Sequence, residues 1–167
     1  MFRKMRRIKQ QITEDECIRI LKENPRGVLS MIGDDGYPYG IPLNHYYSED
    51  DGVLYFHCAK TGHKLDAIKT CDKVSFCVYD KGYRKEGEWA LNINSVVIFG
   101  RMKLVTDEEK TREICINLAR KFTDDEEYLD ELEELAKACD VKVVGRFFQK
   151  RSKADPVFLI GSGKVQE

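Results

Sequence analysis

The chain has 167 residues, of which 42% are hydrophobic and 34% are charged, and its formal net charge is -1. This length predicts one domain, residues 1–167, with enough chain to build a hydrophobic core without disulfide or metal support. The balanced charge provides no overall field that would attract nucleic acid or an anionic membrane, so neither is expected as a partner.

The basic segment 3–7 is not followed by a hydrophobic region, so it does not resemble a secretory signal. We interpret it as a solvated arm, with targeting or RNA binding as the alternative. No stretch is long enough to span a bilayer. The cysteines lack C-x-x-C spacing and mostly fall in apolar patterns, which predicts reduced, buried thiols in a cytoplasmic protein. They are Cys17, Cys58, Cys71, Cys77, Cys115 and Cys139.

The first third of the chain predicts a helix and a β-hairpin. The capping box 13–16 opens the helix, and Asn24-Pro25 ends it. Strand 27–33 then leads into Asp34-Asp35-Gly36, residues that favour a tight hairpin turn. The returning run 37–47 contains two prolines, which indicates an edge strand or a bulged strand with free backbone groups.

The remaining pattern alternates strands and capped helices. Strand 53–58 precedes a short helix over 62–71, for which Thr61 is a possible N-cap. Strands are predicted at 73–80 and 94–105, separated by a charged, glycine-containing loop at 81–88. Capping boxes at 106–109 and 123–126 open two helices, and 141–149 and 157–160 are closing strands. Because tight turns link most strands, we predict a mainly β protein with peripheral helices: a six- to seven-stranded antiparallel barrel.

The strongest chemical signal is the strand-to-helix corner at residues 57–64. A helix N-terminus presents unpaired N–H groups and favours anions, especially phosphate. Lys64 lies in the first turn, where a lysine opposes the helix dipole unless an anion offsets it. Gly62 permits close backbone approach, and His57 and His63 add imidazoles. The alternative is an ordinary surface turn with an idle lysine.

A metal site would combine His57, His63 and Cys58. Cys58 points to the opposite strand face from His57, and no carboxylate completes the set. We therefore predict no metal.

Two further segments carry polar groups suited to a ligand. In the first, Ile41-Pro42-Leu43-Asn44 has free backbone near proline and a polar amide, while His45, Tyr46 and Tyr47 offer flat surfaces, a set that suits a planar heteroaromatic ring. An edge strand with interfacial aromatics is the alternative. In the second, Ser95 and Arg101 lie on one face of a strand and either could contact phosphate, although Arg101 could equally form a surface ion pair. Trp89 is expected at a core edge or a subunit contact.

No hydrolase nucleophile motif or phosphate-binding P-loop is present, so the catalytic residues are unknown and a bound redox cofactor is the natural source of chemistry. Seven segments together resemble the FMN-binding split-barrel family that includes pyridoxamine 5'-phosphate oxidases, most closely its nitroimidazole-resistance branch. They are Arg6-Arg7, Gly27-Val-Leu29, Asp35–Leu43, Tyr55–Ala59, Gly62-His-Lys64, Val74-Ser-Phe76 and Ser95–Arg101.

The resemblance covers roughly residues 6–105 and implies a split-barrel homodimer with FMN at the subunit interface. Lys64, His63 and Ser95 would hold the phosphate. The segment from Ile41 to Asn44 would border the ring, with His57 near the ribityl chain or ring.

The C-terminal part from residue 141 lacks the Arg/His pattern with which true pyridoxamine phosphate oxidases hold their substrate. Reduction of a small electron acceptor, a nitroaromatic or a similar electrophile, is therefore expected rather than pyridoxal phosphate synthesis. The alternative is a non-enzymatic flavin- or haem-binding or sensing protein on the same fold.

Overall fold

A computed structural model describes residues 5–59 and 61–124, together with the backbone of 142–144. The regular elements are α1 (Glu14–Glu23), β1 (Arg26–Ile32), β2 (Pro38–Asn44), β3 (Tyr46–Ser48), β4 (Val53–Cys58), α2 (His63–Thr70), β5 (Lys73–Tyr79), β6 (Tyr83–Arg84), β7 (Leu91–Asn92), β8 (Ser95–Arg101), α3 (Glu108–Arg120) and β9 (Lys142–Val144).

Every strand pairing is antiparallel. The main sheet has the order β2-β1-β5-β8, a second sheet has the order β3-β4-β9, and β6 pairs with β7 alone. The predicted mainly β, antiparallel architecture is therefore confirmed. Within the described residues the strands form separate sheets rather than a closed barrel.

Helix caps agree with the sequence in one case and differ in two. Thr13 caps α1 as predicted, because its hydroxyl accepts a hydrogen bond from the Glu16 N–H at 3.2 Å. For α3 the predicted cap at position 106 is wrong: Asp107 is the N-cap and accepts from the Lys110 N–H at 2.8 Å. For α2 the cap is Gly62 rather than Thr61, since the backbone there adopts φ 131°.

The predicted hairpin between β1 and β2 is present. Its turn contains a 3₁₀ segment, Asp34–Gly36, in which Asp35 and Gly36 have φ of 54° and 76°. Glycine and aspartate adopt a positive φ in tight turns more readily than most other residues do. The strand after the turn, β2, lies at the edge of the main sheet, as its prolines predict.

The core joins the two larger sheets through Phe76 on β5. Its ring contacts Phe56 of β4 edge to face, with centroids 5.1 Å apart. A side chain at Gly27 on β1 would come within 2.2 Å of the same ring, so this close strand contact requires glycine. Ile20 and Leu21 of α1 pack against the same cluster and are fully buried.

His45, expected to offer a flat surface to a ligand, is instead completely buried between β2 and β3. Its Nε2 lies 2.8 Å from the Leu21 carbonyl oxygen, and its ring meets Phe76 edge to face at 4.9 Å. Burial lowers the pKa of His45 to about 3, and the nearby Lys121 ammonium contributes to the same shift. The pattern missed this because His45 interrupts the alternation at a strand break.

The predicted loop 81–88 contains an additional hairpin. β6 and β7 extend beyond the ends of β5 and β8, and we call residues 81–93 the arm. The carboxylate of Asp80 fixes its base by accepting from the Gly82 and Asn94 N–H groups and the Asn94 amide. Trp89 in the arm is 89% exposed, so the expectation of a core edge is wrong.

Several predictions fall outside the described residues. The helix opened at 123–126 and the strand at 157–160 lie there, and the strand predicted at 141–149 is represented only by β9. Cys139 also lies there, whereas the other five cysteines are free thiols. Among the helices of the described part, none combines the length and apolar character that a membrane crossing requires.

The burial of neutral His45 predicts acid sensitivity. Because its folded pKa is depressed to about 3, the unfolded chain binds the extra proton first, and stability is lost as pH falls from the unfolded value of about 6.5 towards 3. The slope due to this group is at most about 1.4 kcal/mol per pH unit. Urea unfolding between pH 6.5 and 4.5 should give a flatter profile for His45→Gln than for the wild type. His63→Gln, which removes an exposed ring, is the control; equal flattening in both variants would contradict the assignment.

Candidate functional site

The N-terminus of α2 is built to approach an anion through its backbone. Gly62 has φ 131° and ψ 166°, a region that is essentially restricted to glycine, and a Cβ atom there would meet no atom of the described residues within 4 Å. The N–H groups of Leu65 and Asp66 bond to the Gly62 carbonyl. The N–H groups of His63 and Lys64 precede them in the first turn, where a helix leaves its donors without partners.

Lys64 is a half-buried cation at this helix start. Desolvation by burial lowers its pKa, an effect opposed by the Cys58 thiol. Within the described part of the chain, no carboxylate lies within ion-pair distance of its ammonium group. A cation that has lost solvation and has no acidic partner gains from a bound anion.

His57 ends up beside Lys64, as the sequence predicts. It lies on the same face of β4 as Val53 and Tyr55, which pack against Ile114 of α3. Desolvation by the surrounding protein and then the charge of Lys64 lower the pKa of His57, although part of its side chain reaches solvent. The ring is therefore neutral and able to donate or accept a hydrogen bond at pH 7.

His63 connects the start of α2 to the β1–β2 hairpin. Its ring stacks on Tyr39 with centroids 4.2 Å apart and an interplanar angle of 22°. Its Nε2 atom lies 3.5 Å from a carboxylate oxygen of Asp34. These contacts orient the imidazole towards the hairpin. The group that His63 presents at the start of the helix is therefore its backbone N–H.

The predicted ring-binding segment lies on β2 with its side chains on alternate faces. Pro42 is exposed, whereas Ile41 and Leu43 are half-buried and Leu43 packs against the core. Asn44 shares the outer face with Pro42, and its amide oxygen accepts from Arg26 Nε at 3.0 Å. Within this segment, only Pro42 and Asn44 therefore present side chains to a ligand on that face. Ile41 and Leu43 can contribute only their backbone N–H and C=O groups there.

The two predicted residues of β8 lie at its opposite ends. Ser95 is buried and pairs with Tyr79, whereas Arg101 pairs with Lys73 and forms an ion pair with Asp72 at 2.6 Å. Six strand steps of about 3.3 Å place the two ends about 20 Å apart. Arg101 thus follows its surface ion-pair alternative.

The structure consequently brings together His57, Gly62, His63 and Lys64 at one corner, with β2 leading away from it. The predicted site residues did not include Tyr39, whose ring stacks on His63 and holds it in place. The available signal was the position of Tyr39 on β2, close to the hairpin turn. In the described ranges, no three His, Cys, Asp or Glu side chains come together as a metal site would require.

The family model for pyridoxamine 5'-phosphate oxidase matches residues 13–144. The chain belongs to the pyridoxamine 5'-phosphate oxidase-like family. The match contains every residue of the corner described above. A second model, GTP-binding GTPase N-terminal, matches residues 126–167, too small a part of the chain to assign a family. No curated protein sequence matches the chain.

Several solved structures share the fold at low sequence identity. A putative 5-nitroimidazole antibiotic resistance protein from Bacteroides thetaiotaomicron is 19% identical, with a TM-score of 0.66, covering 87% of this chain and 84% of its own. The FAD and haem binding protein from Mycobacterium smegmatis is 16% identical, with a TM-score of 0.67, covering 95% and 76%. The haem storage protein from Vibrio cholerae is 14% identical, with a TM-score of 0.59, covering 90% and 96%.

Proposed function

We propose that the chain is an FMN-dependent oxidoreductase that acts as a homodimer and reduces nitroaromatic or similar small electrophiles. The observation that carries the proposal is the half-buried Lys64 ammonium, without a carboxylate partner among the described residues, at the open N-terminus of α2. Membership of the family supports a flavin as the ligand.

The corner fits the phosphate end of FMN. A phosphate monoester carries up to two negative charges and three strong acceptor oxygens, which match the Lys64 ammonium and the free amides of the first turn. The open space at Gly62 allows the oxygens to approach the backbone. His57, neutral and adjacent, is placed to bind a hydroxyl of the ribityl chain.

The outer face of the main sheet fits a planar ring. Ser30 lies between Gly40 on β2 and Ser75 on β5, so the surface there is formed by small side chains. Asn44, on the same strand as Gly40, supplies amide hydrogen bonding for a polar ring edge. When bound, the flavin would supply hydride and single-electron chemistry, and the residues of this chain would bind and orient it.

The same face supports a homodimer. Val28 is 38% exposed at the centre of the sheet and has Pro42 and Cys77 as its cross-strand neighbours, which gives an apolar stripe that is partly exposed in one chain. The adjoining arm adds exposed Trp89 and Leu91. Exposed apolar surface of this kind is typical of protein interfaces.

Two observations favour the substrate class and location. A structural neighbour is a putative nitroimidazole resistance protein, which supports a nitroaromatic acceptor. The five described cysteines are free thiols, which supports a cytoplasmic protein.

A flavin or haem carrier without turnover is the second candidate. It is favoured by structural neighbours whose names state FAD and haem binding or haem storage, and by the lack of an assigned catalytic residue.

The phosphate contact is tested by Lys64→Ala. We expect purified wild-type protein to carry flavin absorbance and bind one FMN per chain, and the variant to bind FMN about 10- to 100-fold more weakly, because one charged hydrogen bond worth about 1.5–3 kcal/mol is lost. Lys69→Ala is the matched control, since Lys69 is on the same helix but exposed and paired with Asp66. Fluorescence titration measures both; equal losses, or no flavin affinity in the wild type, would refute the site.

The dimer is tested by Val28→Lys. Placing a charge in the apolar stripe should shift the molar mass in sedimentation velocity from two chains to one, because an unpaired charge would be buried at the interface. Ile8→Lys alters an exposed apolar residue outside the sheet and should leave the dimer intact. A single-chain mass for the wild type would argue against the interface.

Turnover separates the two candidate functions. FMN-loaded protein, reduced under anaerobic conditions, should be reoxidised repeatedly by a 5-nitroimidazole or a quinone when an excess of reductant is present. Stopped-flow absorbance of the flavin follows each cycle. Reoxidation that never exceeds one equivalent, together with tight haem binding, would favour the carrier instead.

A further inference from the structure

Lys121, at the end of α3, ties three separate parts of the chain together. Its Nζ atom donates to the backbone carbonyl of Leu21 at 3.0 Å and to that of His45 at 3.1 Å. Leu21 is in the last turn of α1, and His45 is the single residue between β2 and β3. One ammonium group therefore links the ends of two helices to the junction of two strands.

The distances also show which ring nitrogen of His45 carries the hydrogen. A separation of 2.8 Å between His45 Nε2 and the Leu21 oxygen requires a hydrogen on Nε2, since two acceptors would repel. Nδ1 is then an unprotonated atom, buried and without a partner among the described residues. Lys121 Nζ lies 3.3 Å from Nε2, but the Nε2 hydrogen is engaged by the Leu21 oxygen, so Lys121 holds the junction through the hydrogens that it donates to the two carbonyls.

Lys121 is the group in this cluster whose charge changes in the alkaline range. Burial lowers its pKa to about 8, and no carboxylate of the described residues lies within ion-pair distance. His45 remains neutral throughout this range. The other described neighbours are the Leu21 carbonyl from α1 and the Phe76 ring from β5, and neither of them titrates.

The cluster of Lys121, His45 and the Leu21 carbonyl lies next to Asn44, the candidate ring-binding residue. Asn44 is the last residue of β2 and directly precedes His45, so anchoring the His45 carbonyl and ring fixes the point at which β2 leaves the main sheet. The Arg26–Asn44 pair is the final register position of that strand. A shift of the His45 peptide would therefore move the Asn44 amide.

We propose that Lys121 is a positioning residue that sets the Asn44 amide at the flavin ring edge through its bonds to the Leu21 and His45 carbonyls, and that loss of its proton loosens the hold. The inference rests on the proposed flavin site for its functional meaning. Its structural part, the coupling of Lys121 to Asn44, is independent of the ligand. When the ammonium loses its proton near pH 8, its hydrogen bonds to the Leu21 and His45 carbonyls lose their charge and weaken, and the strand junction is held less firmly.

The test is a ¹⁵N–¹H spectrum of the full chain without ligand from pH 7 to 9. The Asn44 side-chain amide signal, assigned by its loss in Asn44→Ala, should move with a midpoint near pH 8. The Asn94 amide, bound to Asp80 in the arm, should stay fixed. Lys121→Met and Lys121→Arg should both abolish the movement, since neither side chain loses a proton there. Arg120→Met removes an exposed charge from the same helix end and should keep it.

FMN binding supplies the functional readout. Lys121→Met should weaken FMN affinity about 2- to 10-fold at pH 7, where the wild-type side chain is protonated, and should remove the pH dependence of affinity between 7 and 9 that comes from Lys121. An Asn44 signal that does not move in the wild type overturns the proposal, even if the variants fail to fold. A moving signal in a protein that binds no FMN supports the coupling and refutes the proposed function instead.

Discussion

The architecture depends on the fit between Gly27 and Phe76. The ring occupies the space that any side chain at position 27 would need, and the same ring reaches Phe56 on the second sheet and His45 at the strand junction. One aromatic side chain thus sets the separation of the two sheets and the point where β2 turns into β3. Core interiors are packed densely enough that such a ring cannot move independently of its neighbours.

Two half-buried lysines show how the same residue type serves different purposes. Burial lowers the pKa of both Lys64 and Lys121. Lys121 directs its hydrogens at two carbonyls, which satisfy it within the fold. Lys64 lies at an open helix start, where the protein has left space beside Gly62. The first arrangement stabilises structure, whereas the second is what a binding site for an anion requires.

Local signals in the sequence predicted most elements because they act over a few residues. The cap at Thr13 and the Asp-Gly hairpin belong to this class, and a neighbouring competitor explains the error at Asp107, since threonine and aspartate both cap helices. The burial of His45, by contrast, depends on partners that lie 24 and 76 residues away along the chain. The alternation of apolar and polar residues along the chain cannot predict contacts between such distant positions.

The candidate site divides in the same way. The corner from His57 to Lys64 is contiguous in sequence, so its assembly was predictable. The surroundings of Ser95 and Arg101 were not, because strand register decides that Ser95 pairs with Tyr79 and Arg101 with Lys73, beside Asp72. Tyr39 was missed since its stacking on His63 joins a strand to a helix 24 positions later.

The prolines of β2 have a consequence for how copies of the protein can associate. Pro38 and Pro42 occupy the free edge of the main sheet, where neither can donate a hydrogen bond to an incoming strand. An unprotected edge would serve as a template for continuous sheets and hence for aggregation. With two donors missing four residues apart, strand addition at β2 is blocked, and contact through the broad face of the sheet remains available.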